Sequence, residues 1–346
     1  MQSSINQVIA RPKACVVLLT LGCVLRCKMC HLWKNDERNI PKPSTEEWRG
    51  FIKSLGNFMD PGSNIIFGGG EPLLYPDLLV DLISLCHQLG YRTSLATSGY
   101  FVDEKMAGRL VRSGLDYIAL TLYSLRKETH NYLRGMPDSH EMVLQAINYL
   151  SELKSPLEIA IDTVIMDPNL YDLIELAQWV RNDKRLQLIF FQAVVQPFHT
   201  KPDALWQNDD DYGFLWPKDT EEVVRVIDGL IKIKSDAIVA GQRDKVNNTV
   251  SQFQLFKSYF RNPQEFVKRF SCNVTQGQAF TVSPEGGVNL CPYMNAIGNI
   301  RESSIKDIWY SKQAAERQVE IGSCAKNCHH IINCWYEEED KDKKGT

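Results

Sequence analysis

The chain lacks three features that would point to particular partners or locations. Its 346 residues carry 39 basic and 42 acidic side chains, which gives a net charge of −3. This balance lacks the basic excess of proteins that track a phosphate backbone, so nucleic acid is not expected as a partner. The N-terminal segment lacks the apolar centre of a signal peptide, and no run approaches the ~20 apolar residues of a membrane span. We therefore expect a cytoplasmic protein without a membrane span.

Cysteine, in contrast, is abundant and unevenly distributed. The chain has ten cysteines, and most of them fall into two groups. Disulfides are rare in a reducing cytosol, so such groups indicate metal ligands. The first group, Cys23, Cys27 and Cys30, has the spacing C-x3-C-x2-C. An iron–sulfur cubane takes four cysteine ligands when it only carries electrons, so three thiolates would leave one iron free for chemistry.

Apolar, β-branched runs alternate with helix-like segments through the N-terminal half. This alternation predicts a parallel α/β sheet of the barrel type, because parallel strands need crossover connections. In such folds the reactive groups collect on loops after the carboxyl ends of the strands, and the first cysteine group follows the first strand directly. The predicted strands are 14–20, 64–67, 92–96, 117–122, 158–165 and 186–194, and the predicted helices between them are 45–58, 77–89, 104–113, 140–153 and 170–182.

The pattern changes after the sixth strand. A loop at 197–216 is rich in aromatic and acidic side chains, and it is either a lid or an ordered connector. Further along, the pattern predicts helices at 220–234 and 246–260 and a hairpin at 280–290. The expected domains are a barrel at 14–195, a helical connector with the candidate substrate loop at 196–271, a cysteine-rich domain at 272–336, and a charged tail at 337–346.

The second predicted strand ends in the run Gly68-Gly69-Gly70-Glu71-Pro72. Glycines let a backbone approach a ligand closely, and the Glu71 carboxylate would attract a cation there. Taken alone, the segment is also typical of a tight turn with a solvent-facing glutamate. The combination of C-x3-C-x2-C after the first strand with Gly-Gly-Glu-Pro after the second resembles the radical S-adenosylmethionine (SAM) enzymes.

The resemblance implies a partial (β/α)6 TIM-like barrel with a SAM-binding [4Fe–4S] cluster on the first cysteine group. In that family the free iron binds the amino and carboxylate groups of SAM, and the Gly-Gly-Glu-Pro carboxylate holds the amino group. The residues carried over as cofactor-binding are Met29, Gly69, Gly70, Glu71, Ser98, Thr121 and Arg134. For Arg134 the alternative is an ordinary solvated helix arginine.

Two positions depart from the family pattern. Met29 occupies the position before the third cysteine, where an aromatic residue usually packs near adenine. Tyr123 lies in the segment after the fourth strand, where relatives often have an aspartate. A polarizable thioether can replace the aromatic ring. The second departure leaves the ribose contacts open, with Tyr123 as the residue that would replace the aspartate.

The second group of cysteines resembles the SPASM and twitch extensions of this family. In those extensions a cysteine, a glycine and a second cysteine precede a compact C-terminal cysteine cluster. Here Cys272, Gly286 and Cys291 precede the spacing C-x3-C-x5-C. We therefore expect one auxiliary [4Fe–4S] cluster in a small C-terminal α+β domain. Its candidate ligands are Cys272, Cys291, Cys324, Cys328 and Cys334.

Two questions about this second site stay open at the level of sequence. Cys272, Cys291 and Cys328 are the firmer ligands, and Cys324 and Cys334 compete for the fourth position. Zinc is the rival metal, because it accepts four thiolates in a tetrahedron and His329 and His330 adjoin the cluster.

The resemblance also implies an activity of the oxidoreductase or isomerase type. An external donor such as a flavodoxin or ferredoxin would supply one electron, SAM would be cleaved, and a 5′-deoxyadenosyl radical would take hydrogen from a substrate. We expect a small-molecule substrate, because the first strand begins near Ala14 and leaves no room for a leader-peptide domain. If the reaction were an epimerisation, Cys15 would be the thiol available as hydrogen donor. The alternatives are a peptide or protein maturase and a non-catalytic zinc or iron–sulfur adaptor.

Overall fold

The structure is a computed structural model that describes residues 11–264 apart from 36, 38, 199 and 202, together with residues 279–324, 332 and 333. Within these ranges nine strands belong to one sheet. They are β1 (Ala14–Thr20), β2 (Asn64–Gly69), β3 (Arg92–Thr97), β4 (Tyr117–Thr121), β5 (Glu158–Ile165), β6 (Leu188–Ala193), β7 (Ala279–Val282), β8 (Gly287–Asn289) and β9 (Gly298–Asn299). Their order is β6-β5-β4-β3-β2-β1-β7-β8-β9.

The first six strands pair in parallel and are connected by helices, as a partial (β/α)6 barrel requires. The helices of the described ranges are α1 (Thr45–Leu55), α2 (Pro76–Gln88), α3 (Glu104–Arg112), α4 (Lys127–Arg134), α5 (Ser139–Glu152), α6 (Leu173–Asn182), α7 (Thr220–Val239), α8 (Val250–Arg261), α9 (Ile305–Trp309) and α10 (Lys312–Gly322). None of these helices has both the length and the apolar composition that a membrane crossing needs.

The two faces of the parallel sheet differ in burial because successive side chains of a strand point in opposite directions. One face lies under the helices and carries fully buried residues such as Val17, Ile65 and Ile161. The opposite face, called the inner face below, carries polar residues. Across it the Ser94 hydroxyl donates to the Asn64 side-chain oxygen at 3.0 Å. The loops that follow β1 to β4 meet at the carboxyl edge of this sheet.

The C-terminal elements continue the same sheet. Strand β7 pairs with β1 in parallel, and β7, β8 and β9 then pair antiparallel. Gly286 makes the turn between β7 and β8 with a φ of 85°, a conformation that glycine adopts without strain. The ring of Trp309 lies 5.7 Å from the rings of both Phe58 and Phe280, which joins the extension to the end of α1. The extension is therefore packed against the barrel through both backbone and side chains.

The six predicted strands are confirmed with ends within two residues of the prediction. Three described helices were not predicted: α4, α9 and α10. Helix α4 has the sequence Lys-Glu-Thr-His-Asn-Tyr-Leu-Arg, which shows little apolar periodicity. The helix predicted at 170–182 begins instead as a 3-10 turn over Asp167–Asp172, where a proline occupies the first turn. The domain boundaries at 195 and 271 stay a prediction, because β7 is continuous with the barrel sheet.

Candidate functional site

The first cysteine group lies on the loop that leaves β1 at the carboxyl edge of the sheet. Cys27 is buried, whereas Cys23 and Cys30 are half-buried. Burial raises the pKa of the Cys23 thiol to about 12 and that of Cys30 to about 11, and the nearby Cys27 adds to both shifts. The loop therefore holds three neighbouring thiols in a partly shielded place.

The spacing of these thiols can be compared with what different metals need. Within the described ranges, no group of three or more histidine, cysteine, aspartate and glutamate side chains is close enough to hold a single metal ion. A cubane cluster binds each thiolate on a different iron atom, so its ligands lie farther apart than those of one ion. Because burial keeps these thiols protonated near neutral pH, a cationic iron centre would have to displace their protons. Three thiols on one loop match the three irons of a cubane that cysteine would hold, with the fourth iron left free.

Helix α4 holds one side of the cysteine loop. The backbone N–H groups of Arg26 and Lys28 donate to the carbonyls of Arg134 at 3.0 Å and Leu133 at 2.9 Å. These carbonyls belong to the last turn of the helix, where no intrahelical partner exists. Gly135 ends the helix with a φ of 61°, and an added Cβ would lie 2.3 Å from the Arg26 carbonyl oxygen. The Arg-Gly pair therefore supports the loop through its backbone.

The Gly-Gly-Glu turn after β2 holds the other side. Gly70 N donates to the Thr20 carbonyl, and Glu71 N donates to the Gly22 carbonyl, both at 2.8 Å. An added Cβ would lie 2.4 Å from Thr20 O at Gly69 and 2.1 Å from Gly22 O at Gly70. Both glycines are thus required for the close approach of two backbone segments of the protein itself. Their contact with a cofactor stays a prediction.

Glu71 is buried, with 1% of its surface exposed, and its carboxylate is anchored to the end of β3. One oxygen accepts from the Thr97 hydroxyl at 2.7 Å and from Leu73 N at 3.2 Å. The other accepts from the backbone N–H of Ser98 at 3.0 Å and from the Ser98 hydroxyl. The alternative of a solvent-facing glutamate is wrong. The four donors occupy the lone pairs of the carboxylate, so a ligand ammonium would displace a hydroxyl, which can rotate away.

Arg134 is also buried, and the alternative of a solvated helix arginine is wrong. Its guanidinium lies over the ring of Tyr123 with 5.5 Å to the centroid, and one terminal nitrogen is 3.5 Å from the Tyr123 hydroxyl. Its Nε finds no hydrogen-bond partner among the described residues. Burial lowers the pKa of Arg134, but Cys27 and Tyr123 raise it by more, so the group stays charged. A buried cation with an unpaired donor indicates an anionic ligand at this position.

The segment after β4 is fixed by buried side chains. Tyr123 N donates to Nδ1 of the buried His130 at 3.1 Å, and the amide of the buried Asn169 donates to the Tyr123 carbonyl at 2.8 Å. Tyr123 itself is buried, with its hydroxyl 3.5 Å from a terminal nitrogen of Arg134, and its contact with a ribose in place of the relatives' aspartate stays a prediction. Thr121, the last residue of β4, is half-buried on the inner face, where a cofactor contact is sterically open.

The loop at 197–216 packs as an ordered connector. Trp206 is fully buried, and its ring lies 5.6 Å from that of Trp216, which in turn lies 5.2 Å from the ring of Tyr259 on α8. The ring of Tyr212 lies 6.1 Å from His31, the residue after the third cysteine. The connector thus packs beside the cysteine loop. This packing favours the interpretation of the segment as an ordered connector over its interpretation as a lid.

Comparison with known proteins identifies the family of this chain. The model of the radical SAM superfamily matches residues 17–180, and that of the SPASM iron–sulfur cluster-binding domain matches residues 272–335. The chain belongs to the radical SAM superfamily and carries a SPASM domain. The resemblance inferred from the sequence is confirmed, and with it the cofactors: a [4Fe–4S] cluster and SAM in the barrel, and auxiliary iron–sulfur in the SPASM domain.

Curated relatives of this radical SAM protein differ in what their names describe. Fe-coproporphyrin III synthase of Methanosarcina barkeri is 24% identical over 299 residues, which span 84% of this chain and 72% of the relative. PqqA peptide cyclase of Rhodopseudomonas palustris is 24% identical over 348 residues, which span 97% of this chain and 83% of the relative. The names of these two relatives describe different products, so they do not assign a substrate to this chain.

Solved structures show the same fold. Native anSMEcpe with bound AdoMet matches with a TM-score of 0.65 and 18% identity, covering 93% of this chain and 88% of that one. Streptococcus suis SuiB bound to the precursor peptide SuiA matches with a TM-score of 0.67 and 15% identity, covering 94% and 70%. These matches confirm the partial barrel with its C-terminal extension.

The SPASM cysteines are only partly within the described residues. Cys291 follows β8 and is half-buried, and Cys324 is exposed just after α10. The other residues named for this site, Cys272, Cys328, Cys334, His329 and His330, lie outside the described residues. The choice of four ligands therefore stays a prediction, while the SPASM match favours iron–sulfur over zinc.

The structure places Cys15 away from the inner face. It is fully buried on the helix-covered face, close enough to Cys86 on α2 for the charge of Cys86 to raise the pKa of Cys15. Burial and this neighbour raise the pKa of Cys15 well above its usual value. The expectation that Cys15 points into the barrel, as a hydrogen donor would have to, is wrong, because odd-numbered positions of β1 face the helices.

Sequence reasoning missed two supports of the site. Thr97 binds Glu71 directly, and its signal was the hydroxyl in Thr-Ser-Gly after the third strand. Glu37 accepts hydrogen bonds from the Thr20 hydroxyl and from the backbone at the exit of β1, and it pairs with Lys42 at 2.8 Å. A single glutamate beyond the third cysteine gives no sequence signal. Met29 is half-buried against the core, and its contact with adenine stays a prediction.

Proposed function

We propose that this protein cleaves SAM reductively at a [4Fe–4S] cluster held by Cys23, Cys27 and Cys30, and abstracts a hydrogen atom from a substrate. When bound, the cluster supplies one electron to the sulfonium of SAM, which yields methionine and a 5′-deoxyadenosyl radical that becomes 5′-deoxyadenosine on taking hydrogen. A flavodoxin or ferredoxin is the proposed electron donor, and the cytoplasm is the proposed location.

One observation carries the proposal: two buried groups of opposite charge flank the cysteine loop. The backbone N–H of Glu71 donates a hydrogen bond to the Gly22 carbonyl at the end of β1. The backbone N–H of Arg26 in the same loop donates to the Arg134 carbonyl. Both groups are near enough to Cys23 to influence the pKa of its thiol. Burial raises this pKa to about 12, the Glu71 charge adds to the rise, and the Arg134 charge opposes it. The methionine part of SAM carries one ammonium and one carboxylate. Glu71 matches the first and Arg134 the second.

We favour a small-molecule substrate, and we exclude Cys15 as the hydrogen donor of an epimerisation. The names of two relatives from Methanosarcina barkeri, Fe-coproporphyrin III synthase and AdoMet-dependent heme synthase, describe products that are small molecules. Epimerisation requires a hydrogen donor beside the substrate. Outside the two cysteine groups the chain has only Cys15 and Cys86, and Cys15 lies behind the sheet with Cys86 as its neighbour.

A peptide substrate is the second candidate, and a specific observation favours it. PqqA peptide cyclase covers more of this chain than the two relatives from Methanosarcina barkeri do, and the SuiB match was solved with a precursor peptide. A maturase would need the same cluster, SAM site and inner face. The two candidates therefore differ in the substrate alone.

The test is anaerobic reconstitution with iron, sulfide, SAM and a strong reductant, followed by measurement of iron and 5′-deoxyadenosine. About eight irons per chain and SAM cleavage are expected for two cubane clusters. Cys27→Ala should abolish cleavage, and Cys272→Ala should lose about four irons while cleavage continues. Cys86→Ala is the control, because this cysteine lies in the core outside both groups.

Each outcome separates the candidates. Iron without 5′-deoxyadenosine in the wild type would leave a non-catalytic iron–sulfur adaptor. Equal cleavage by the wild type and Cys27→Ala would contradict the assignment of the catalytic cluster. About four irons in the wild type, unchanged in Cys272→Ala, would return the second group to zinc.

A further inference from the structure

The inner face carries a half-buried carboxylate, Asp162, for which the described residues supply no hydrogen-bond donor. Asp162 lies in the middle of β5 and is half-buried, and in the part of the chain that the structure describes its side chain makes no hydrogen bond or ion pair. The desolvation that comes with burial raises its pKa to about 7. Its carboxylate oxygens are not among the buried side-chain atoms that lack a partner, so they are open to water or a ligand, while the raised pKa shows that burial disfavours the charged form.

Two other acids of this barrel, the buried Asp172 and the half-buried Asp116, accept hydrogen bonds from neighbours. Asp172 accepts from the Ser124 hydroxyl at 2.6 Å and pairs with Arg126 at 2.6 Å. Asp116 accepts from the backbone N–H of Thr93 at 2.8 Å and from its hydroxyl at 3.0 Å. These two acids connect elements of the fold, whereas Asp162 connects nothing.

The register of the sheet places Asp162 beside the SAM site. Asp162 lies directly opposite Thr121 on β4 and Phe190 on β6, so all three side chains point to the inner face. Neighbouring strands are about 4.8 Å apart. Thr121 is the position that the family pattern assigns to the cofactor, and Asp162 is therefore one strand farther from the cysteine loop. Tyr117 lies four residues before Thr121 on β4. Burial is the main cause of the raised pKa of Tyr117, and the charge of Asp162 also contributes to it.

Small residues line the inner face between Glu71 and Asp162, exposed at Ala96 on β3 and buried at Ala119 on β4. Gly68, Ala96 and Ala119 form one row across β2, β3 and β4. Ala96 is exposed, and a Cβ added at Gly68 would contact only Ala96, at 4.0 Å. A substrate lying over this row would reach the methionine end of SAM on one side and Asp162 on the other.

We propose that Asp162 binds a hydrogen-bond-donating group of the substrate, an ammonium or a hydroxyl, and thereby orients the carbon that loses hydrogen. The proposal rests on the proposed function. A hydrogen-bond donor on the substrate would bind the Asp162 carboxylate, for which the described residues supply no donor. A charge-assisted hydrogen bond of this kind holds the substrate strongly. Asp162 would then select polar substrates and leave SAM binding to Glu71 and Arg134.

The test uses deuterated probes with the full-length reconstituted protein, SAM and a reductant. Perdeuterated ethanolamine offers an ammonium and a hydroxyl, ethylene glycol offers hydroxyls only, and dimethoxyethane offers no donor. When the radical attacks a probe, a C–D bond of the probe breaks, a C–D bond forms in 5′-deoxyadenosine, and the unpaired electron stays on the probe. The readout is the fraction of 5′-deoxyadenosine that carries deuterium, measured by mass spectrometry.

We expect deuterium transfer from donor-bearing probes and little from dimethoxyethane. Asp162→Asn keeps the shape of the side chain and removes its charge, so it should lower the transferred fraction about tenfold or more. Glu158→Gln is the matched control, because Glu158 lies on the same face of the same strand but four residues toward its start, about 13 Å away. Transfer from ethanolamine alone identifies an ammonium site, and transfer from both donor probes identifies a hydroxyl site.

Several results would overturn the inference. They are equal transfer by Asp162→Asn and the wild type, equal transfer from dimethoxyethane, or no transfer from either donor probe while the wild type forms 5′-deoxyadenosine. A weaker affinity of Asp162→Asn for SAM, measured by calorimetry, would also overturn it and assign the carboxylate to the ribose. Absence of 5′-deoxyadenosine in the wild type is different, because it contradicts the proposed function itself.

Discussion

The carboxylates of Glu71 and Asp162 show how hydrogen-bond partners determine the role of a single residue. Glu71 is held by donors from Thr97 and Ser98 before any ligand arrives, so its position is fixed in advance. Asp162 has no such donors, and its raised pKa of about 7 reflects burial alone. The first carboxylate is stabilised by the fold. The second reduces the stability of the fold until a donor binds it.

Glu71→Gln should weaken SAM binding and leave the iron content unchanged. The amide keeps an oxygen for Thr97 or Ser98 but loses the charge that attracts an ammonium. A charge-assisted bond contributes about 1.5–3 kcal/mol, so the dissociation constant should rise roughly tenfold to a hundredfold. Calorimetric titration of the reconstituted protein measures it. Ser98→Ala is the control, since it removes one donor to Glu71 and keeps the charge; unchanged affinity in Glu71→Gln would reduce Glu71 to a turn residue.

Asp162→Asn should stabilise the protein at high pH only. The pKa of Asp162 is about 7 when folded and near 3.8 when unfolded, so between these values the folded state binds more protons. Stability therefore falls as the pH rises through this window, and asparagine avoids the loss. We expect a gain of roughly 2–4 kcal/mol near pH 8 and almost none near pH 4, measured by urea unfolding of the apoprotein. Tyr117 and Glu158 are unchanged in this variant, and an equal gain at both pH values would contradict the assignment.

At the scale of elements, the site depends on backbone hydrogen bonds that hold the cysteine loop between helix α4 and the Gly-Gly-Glu turn. Helix α4 binds the cysteine loop through the carbonyls of its last turn, and the Gly-Gly-Glu turn binds the exit of β1. Neither contact uses a cysteine or a cofactor. The loop can therefore keep its shape before a cluster is inserted, which limits the entropy lost on assembly.

Gly135→Ala should disrupt the hydrogen bonds between α4 and the cysteine loop. A positive φ costs an alanine about 1–2 kcal/mol anywhere, and here the added Cβ would also collide with the Arg26 carbonyl. Displacing the loop should lower 5′-deoxyadenosine formation about tenfold or more, because small misplacements at a reacting centre are costly. Gly241→Ala is the matched control: its φ is 64°, and nothing lies within 4 Å of the added Cβ. Similar activity losses in both variants would show that α4 does not position the loop.

Sequence alone predicted the elements with strong patterns and missed those without. The parallel strands and the cysteine loop after β1 were both accessible from the sequence. Helix α4 was not, because its eight residues are mostly polar and its position depends on tertiary contacts. The direction of Cys15 was missed because β1 is apolar at almost every position, so its sequence does not show which residues the fold buries. Asp162 was missed because a lone acid has significance only once the register is known.

At the scale of the whole molecule, the two iron–sulfur regions share one strand. β1 leads into the cysteine loop at its carboxyl end and pairs with β7 of the extension along its edge. Phe58, Phe280 and Trp309 pack their rings at the same boundary. A disturbance in the extension therefore reaches the catalytic loop through one strand, and the two parts should unfold together.

Trp309→Ala tests this coupling. Trp309 is fully buried, and removal of such a ring costs about 3–5 kcal/mol. Because β7 is bonded to β1, we expect hydrogen exchange to accelerate together in peptides that cover β1 and peptides that cover β7 and β8. Tyr310→Ala is the control, since Tyr310 also contacts Phe58 but is 47% exposed, and its loss should cost less than about 1 kcal/mol. Faster exchange confined to β7 and β8 would mean that the extension opens independently, and that the catalytic loop is insulated from it.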